Sequence, residues 1–564
     1  MPAALERLAA LAACTLVAVA VSRRLLQPDV FSSDAFVHQY WMWSFQDPAL
    51  FTDPLTAELR ESARYPDGYE LLFRAATLLV GPIVFGEWLG VALMGLSGFL
   101  VWAIVREHEP WWPAAWIATA LFLALIDVHR FHGGFPRAFV HPVVLLVVLL
   151  AMRRRDVAAA VVAAGAALLY PTAALLGCGV LAVAAVVRRD RRRGALALAA
   201  LGGTAALVLL LGGGAPQVLT AAEAQAYPEF GAHGPLHFFV PSTVEYLRQN
   251  RSGFDLRAAG SVLLLAALAL LLARRGNWRR LRVEVLALPV VALLGYAAAQ
   301  AVLFKLYLPH RYTYPLVAFL AIAVGVVLRP AWERRSLALL AIPVAAFLAG
   351  VYAFPLGPTE AFGAGPVVAL TALAALAVVA SVLRPAVGAA ATGALLVAAL
   401  LLVPGGWERG TPCPNGASVQ YLATLPKDAV IAGDPRDLMC LPATARRPVV
   451  TSTQLAPSYE ADYFLHGRDR MFDMLRAYYG PSPAPIAELA DRYGATHLWV
   501  RRAAVERETT ERGARWRQGQ LPYGRFVRDV VRGGTPAVLD LPAECRRWSH
   551  GTDEVYDIAC LAAR

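Results

Sequence analysis

The sequence predicts an α-helical polytopic membrane protein of about thirteen spans with a small C-terminal α/β soluble domain. Three observations carry this expectation. Of the 564 residues, 58% are hydrophobic and only 16% charged, against about 25% charged in ordinary globular chains. The apolar residues fall in blocks of about 15–22 before residue 405 and thin out beyond it. Short arginine runs separate alternate blocks, the mark of cytoplasmic membrane loops. Two solvents follow: lipid for residues 1–404 and water for 405–564.

A helix needs about 20 apolar residues to cross the hydrocarbon layer. In order, the candidate spans are 4–22, 84–105, 111–128, 138–152, 157–170, 173–187, 194–212, 258–273, 284–304, 314–328, 336–354, 366–383 and 386–404. The first lacks a small-residue cleavage site and is expected to be a retained helix. The stretch 70–83, ending near Gly81-Pro82, reads as an interfacial or re-entrant helix. The pair joined at Tyr170-Pro171-Thr172 is short, which implies a thinned bilayer or partial penetration.

Charge orients the bundle. Arg106, Arg153 to Arg155, Arg188 to Arg193 (broken by Asp190), Arg274 to Arg282, Arg329 to Arg335 and Arg384 occupy alternate connections. Loops rich in arginine stay inside, which predicts a cytoplasmic N-terminus and a C-terminal domain on the periplasmic or extracellular side of an inner or plasma membrane. Arg23 and Arg24 break the pattern. The net charge of +11 is explained by these loops, and nucleic acid is not an expected partner. Cys14 and Cys178 lie in spans, whereas Cys413, Cys440, Cys545 and Cys560 all follow residue 405. Four cysteines in an oxidising compartment allow three pairings; Cys413–Cys440 and Cys545–Cys560 are favoured because they close local loops.

Polar chemistry collects in the outer connections. The first, 23–70, holds Asp34 ahead of an aromatic stretch with helical spacing, then Asp53, Asp67 and Glu70 among Pro54 and Pro66. The second, 129–141, places Arg130, Arg137 and His141 around a Gly133-Gly134 turn. The third carries Lys305, His310, Arg311 and Tyr312 at the mouth of the span 314–328. Glu229 lies in a fourth region, 213–257, which also contains the sequon Asn250-Arg251-Ser252. Arginine forks suit phosphate oxygens, so the cations are candidate substrate-binding groups. The plainer readings are solvated loop acids, helix-end capping, and arginines snorkelling beside a tyrosine belt. His129 and His132 offer metal ligands without a completing acid motif.

Carboxylates and cations at one membrane interface suit sugar transfer from a polyprenyl phosphate carrier. A carboxylate takes the acceptor proton, and fixed cations stabilise the departing phosphate. No GxxxxGK[ST] loop and no GxGxxG after a strand is present. An acid soon after the first helix, a long first outer loop, about eleven to thirteen spans and an outer C-terminal domain resemble the GT-C membrane glycosyltransferases. Ser33-Asp34-Ala35-Phe36 looks like the place where that superfamily keeps its catalytic acid. Residues 421–432 and 487–500 are similar to helix–strand units of bacterial members. The resemblance implies a lipid-linked sugar donor and an acceptor that is a glycan, lipid or protein, and it leaves a divalent metal open. The WWD-type signature of oligosaccharyltransferases is absent.

After residue 405, helices at 418–425 and 486–493 and apolar strands at 429–432, 448–451 and 497–500 predict a small α/β layer. It has no nucleophile motif and is expected to bind acceptor or carrier, or to stabilise the outer face. The rival functions are a transporter or flippase, which would place charges near mid-membrane, and a non-catalytic scaffold.

Overall fold

A computed structural model describes residues 3–27, 30–32, 34–126, 128–211, 217–240, 251–253, 278–306, 308–333, 410–413, 415–510, 516 and 521–564. Among these residues, six helices are long and apolar enough to cross a membrane. A further apolar pair is bent by 76° near residue 126, where α6 (Trp112–Leu125) gives way to short 3-10 turns, and makes either a broken span or a re-entrant loop. The unbroken six lie in α1 (Ala3–Ser22), α5 (Pro82–His108), α9 (Pro171–Arg188), α10 (Arg191–Leu211), α11 (Val283–Ala301) and the segment Pro309–Val327, which includes most of α12 (Pro315–Glu333). Shorter apolar helices are α7 (Val140–Met152) and α8 (Asp156–Gly165). The expected spans 258–273, 336–354, 366–383 and 386–404 lie outside the described residues.

Proline starts several of these helices, Pro82 in α5 and Pro171 in α9 among them. At that position its fixed φ suits the helix and its missing N–H is not needed. Small residues then let backbones approach. A Cβ on Gly95 of α5 would sit 3.0 Å from Thr15 Cα of α1, so glycine sets that crossing.

The two kinds of connection separate to opposite ends of the bundle. At one end Arg106 pairs with Glu6 at 3.1 Å, Arg153 with Glu107 at 2.7 Å, and Arg188 and Arg193 share Glu284 at 2.9 and 2.7 Å. Arg193 and Glu284 are both fully buried, so each needs the other. At the other end lie Asp34, the 129–139 turns and residues 309–313.

Between α1 and α5 come α2 (Ala35–His38), α3 (Pro54–Ala63) and α4 (Asp67–Ala76). Just ahead of Asp34, β1 (Val30–Ser32) pairs antiparallel with β2 (Gly410–Pro412). The C-terminal residues build a four-stranded sheet from β3 (Val430–Gly433), β4 (Ala495–Arg501), β5 (Arg546–His550) and β6 (Asp553–Asp557), in the order β3-β4-β6-β5. The expected helices appear at Ala417–Leu422 and Ala484–Tyr493, the latter ended by left-handed Gly494. The expected strand 448–451 is reduced to one parallel bridge, Val449 to Ile431, beside the edge strand β3. Both favoured disulfides form, Cys413–Cys440 and Cys545–Cys560.

This C-terminal layer is fastened to the first connection. Arg470 grips Glu58 through two bonds of 3.0 and 3.1 Å, Lys427 pairs with Asp47 at 2.5 Å, and Arg446 lies 3.6 Å over the Trp43 ring.

Candidate functional site

Asp34 occupies the N-cap of α2, where an aspartate ordinarily bonds the backbone of the first turn. Here no such bond is made. The carboxylate turns instead to Arg137, with an Nη1–Oδ2 distance of 2.5 Å. Arg137 is 11% exposed and also donates to the His129 carbonyl at 3.2 Å, with its guanidinium 4.7 Å from the Phe135 ring. His38, one helical turn after Asp34, faces the same side and bonds Tyr65 Oη through Nδ1.

The electrostatics follow from this grouping. Burial raises the Asp34 pKa, but Arg137, His38 and Arg311 together outweigh it, and the carboxyl falls well below the usual range. Burial pushes the His38 imidazole down to about 4, Asp34 opposing and the two arginines assisting. At neutral pH the site therefore holds an anionic Asp34, a neutral His38 and two guanidinium groups.

Arg311, in the 3-10 turn Pro309–Thr313, donates to Tyr170 Oη at 3.1 Å. Its neighbour His310 donates from Nδ1 to the Arg251 carbonyl (3.0 Å), and its Nε2 lies 3.4 Å from Tyr314 Oη. Tyr314 links this turn to the second connection: Arg130 lies 3.6 Å over its ring, and His141 stacks on it with rings 5° from parallel. His141 is buried, and neither ring nitrogen has a hydrogen-bond partner among the described residues. Two sequence segments far apart in the chain thus meet, bringing Arg130, Arg137, His141, His310 and Arg311 to the same end as Asp34.

Other sequence candidates are engaged elsewhere. Asp53 caps α3 by accepting from Thr56 N at 2.9 Å. Asp67 and Glu70 lie in the first turn of α4, Asp67 exposed. Glu229 is buried against Arg468 of the C-terminal layer at 2.8 Å. Tyr312 bonds the Leu306 carbonyl at 3.2 Å. Lys305 lines a separate cavity of about 220 Å³ together with Thr220 and Gln300. Among the described residues no three His, Cys, Asp or Glu side chains form a metal-sized cluster.

Four residues that the sequence does not single out as candidates lie around the site: His38, Tyr65, Tyr170 and Glu87. The i, i+4 spacing of Asp34 and His38 was a usable signal. Tyr170 sits in the helix break already noted, before Pro171. Glu87 lies near the start of α5, where the sequence marks it only as a charge near a span end.

The fold matches known structures over nearly all its length. ArnT from Cupriavidus metallidurans in the apo state is 17% identical, with 99% of each chain covered and a TM-score of 0.53. The same protein bound to undecaprenyl phosphate gives 17% identity, 99% of each chain and a TM-score of 0.50. This is the GT-C fold of membrane enzymes, and the chain is an integral membrane protein. No curated protein matches it by sequence. The family model described as "Predicted membrane protein (DUF2079)" matches residues 71–392, a stretch that contains Glu87, Arg130, Arg137 and Arg311. That match covers more than half of the sequence, and the chain belongs to the DUF2079 membrane protein family.

Proposed function

We propose that this protein transfers a sugar from a polyprenyl phosphate carrier to an acceptor hydroxyl at the outer face of the membrane. The observation that carries the reading is the 2.5 Å Asp34–Arg137 pair within the field of Arg311. In this scheme the carrier phosphate binds Arg137 and Arg311. Its negative charge competes with Asp34 for Arg137, which loosens the pair and raises the basicity of Asp34 as the donor arrives. The acceptor oxygen then attacks the anomeric carbon. The bond from that carbon to the phosphate oxygen breaks, the carrier leaves as the phosphate anion held by the arginines, and the acceptor proton passes to Asp34. The solved fold relative bound to undecaprenyl phosphate supports a carrier of this class. The arginine-rich end of the bundle would face the cytoplasm, and the two disulfides suit an oxidising outer compartment. Purified protein is supplied with polyprenyl phosphate hexoses and pentoses plus a cell-envelope fraction, and release of free polyprenyl phosphate is measured. Asp34→Asn is expected to cut release by about 10²–10⁴-fold at unchanged abundance; release within about threefold of the parent removes Asp34 from the role.

A further inference from the structure

A buried carboxyl group with no cation beside it must have its oxygens satisfied by hydrogen bonds. Glu87 of α5 is 5% exposed, and no basic side chain pairs with it among the described residues. Both of its oxygens are used. Oε1 accepts the Ser32 backbone N–H at 3.2 Å, and Oε2 accepts the Gly133 backbone N–H at 3.1 Å. Ser32 lies two residues before Asp34, and Gly133 four residues before Arg137.

The surface around Glu87 is shaped for this. A Cβ on Gly86 would come within 2.6 Å of the Gly133 carbonyl oxygen, and one on Gly90 within 2.2 Å of the Phe131 carbonyl oxygen. Gly133 and Gly134 adopt φ of +75° and +57°, a left-handed path that glycine takes without strain. The Gln39 amide donates to the Gly133 carbonyl from the other side. The turn 131–134 is thereby seated on α5 and tied to the strand leading into Asp34.

We infer that Glu87 is a positioning residue which, through one carboxylate, fixes the Asp34 segment and the Arg137 segment relative to each other. This rests on the proposed function for its catalytic consequence and on geometry alone for the tether. A carboxylate is suited because it offers two acceptors and no donor. In Glu87→Gln one tethering N–H would face an NH₂ group.

The test uses the full chain in detergent. Hydrogen–deuterium exchange of Glu87→Gln is expected to rise at least tenfold in peptides covering 30–34 and 131–135, with β4 unchanged. Donor turnover is expected to lose about 10–100-fold in kcat/KM, with most of the loss in kcat. Unchanged exchange at both segments overturns the inference. So does raised exchange with unaltered kcat while Asp34→Asn is inactive. If Asp34→Asn stays active, the proposed function fails, and the exchange data alone decide the tether. Should Glu87→Gln fail to accumulate, Glu87→Asp keeps the carboxyl group but shortens its reach to the Ser32 and Gly133 N–H groups. Raised exchange at 30–34 and 131–135 in that variant is the expected result, and unchanged exchange at both overturns the inference.

Discussion

Replacing Asp34 by Asn separates the two tasks assigned to it, because Asn keeps the shape and discards the charge. Arg137 is committed to Asp34 at 2.5 Å, and only 11% of the arginine side chain is exposed. A charge-assisted bond of this kind contributes about 1.5–3 kcal/mol. Because Asp34 is about a third exposed, solvent screening places the pair at or below the lower end of that range. A phosphate that must displace Asp34 from Arg137 forfeits that amount. In Asp34→Asn the cost falls away, along with the repulsion between two anions. Sugar-free polyprenyl phosphate should therefore bind about 3–10-fold more tightly, since about 1.4 kcal/mol is a factor of ten. Turnover should fall by about 10²–10⁴, the usual worth of a general base. Carrier binding is read by titrating polyprenyl phosphate against the purified protein and following its thermal midpoint. Turnover is read by release of carrier from the sugar-loaded form. Weaker carrier binding in the variant would refute the competition for Arg137. Turnover within threefold of the parent would refute the base.

Three further outcomes follow from the same geometry. Removing Cys413–Cys440 or Cys545–Cys560 by double alanine substitution should lower stability by a similar amount, about 3–4 kcal/mol for closed loops of 27 and 15 residues. Only loss of the first, which packs with Ala35, Phe36 and Phe135, should also cut turnover; equal losses for both would refute the link. Tyr170→Phe removes the acceptor of Arg311 and should raise donor KM about 3–10-fold with little change in kcat; an effect confined to kcat would count against it. For His38 the folded pKa is about 4 and the unfolded value 6.5. The unfolded state therefore binds the extra proton between these values. The stability from neutral His38 is complete above pH 6.5 and drains as pH falls toward 4, by on the order of 2–3 kcal/mol. His38→Gln should flatten that slope in a thermal-midpoint series from pH 7 to 4.5. A parallel slope in both proteins would sink the assignment.

Much of this architecture was legible because lipid imposes a coarse rule: backbone groups must be satisfied within the helix, so spans announce themselves by composition. The disulfides were legible for a similar reason, since local loops close cheaply. Asp53 carried an unread signal: Asp-Pro-Leu-Thr is an N-cap followed by proline at the first helical position, and the structure uses it so. The grouping of Asp34 with Arg137 could be guessed from chemistry, but nothing local specifies it. What specifies it is Gly86-Glu87 and Gly90, whose spacing on α5 reads as an ordinary apolar helix with one terminal charge. A carboxylate bonded only to backbone leaves no partner side chain in the sequence to betray it.

The same non-locality places the site at the junction of the chain's two parts. Ser32 pairs with Gly410 in the β1–β2 ladder, and Cys413, immediately beyond β2, lies in one buried cluster with Ala35, Phe36 and Phe135. The segment bearing Asp34 is therefore held from one side by residues that follow the last candidate span, and from the other by Glu87 in α5. The first of these holds does not exist until the chain has been made past residue 410. An isolated three-residue strand has little stability of its own, so β1 acquires its form only when β2 arrives. The C-terminal layer needs no reactive group to matter for the reaction. Its contacts with Asp47, Glu58 and Trp43, added to the ladder, tie the first connection across its length. The acid at the head of that connection is thereby kept 2.5 Å from a cation supplied by another loop.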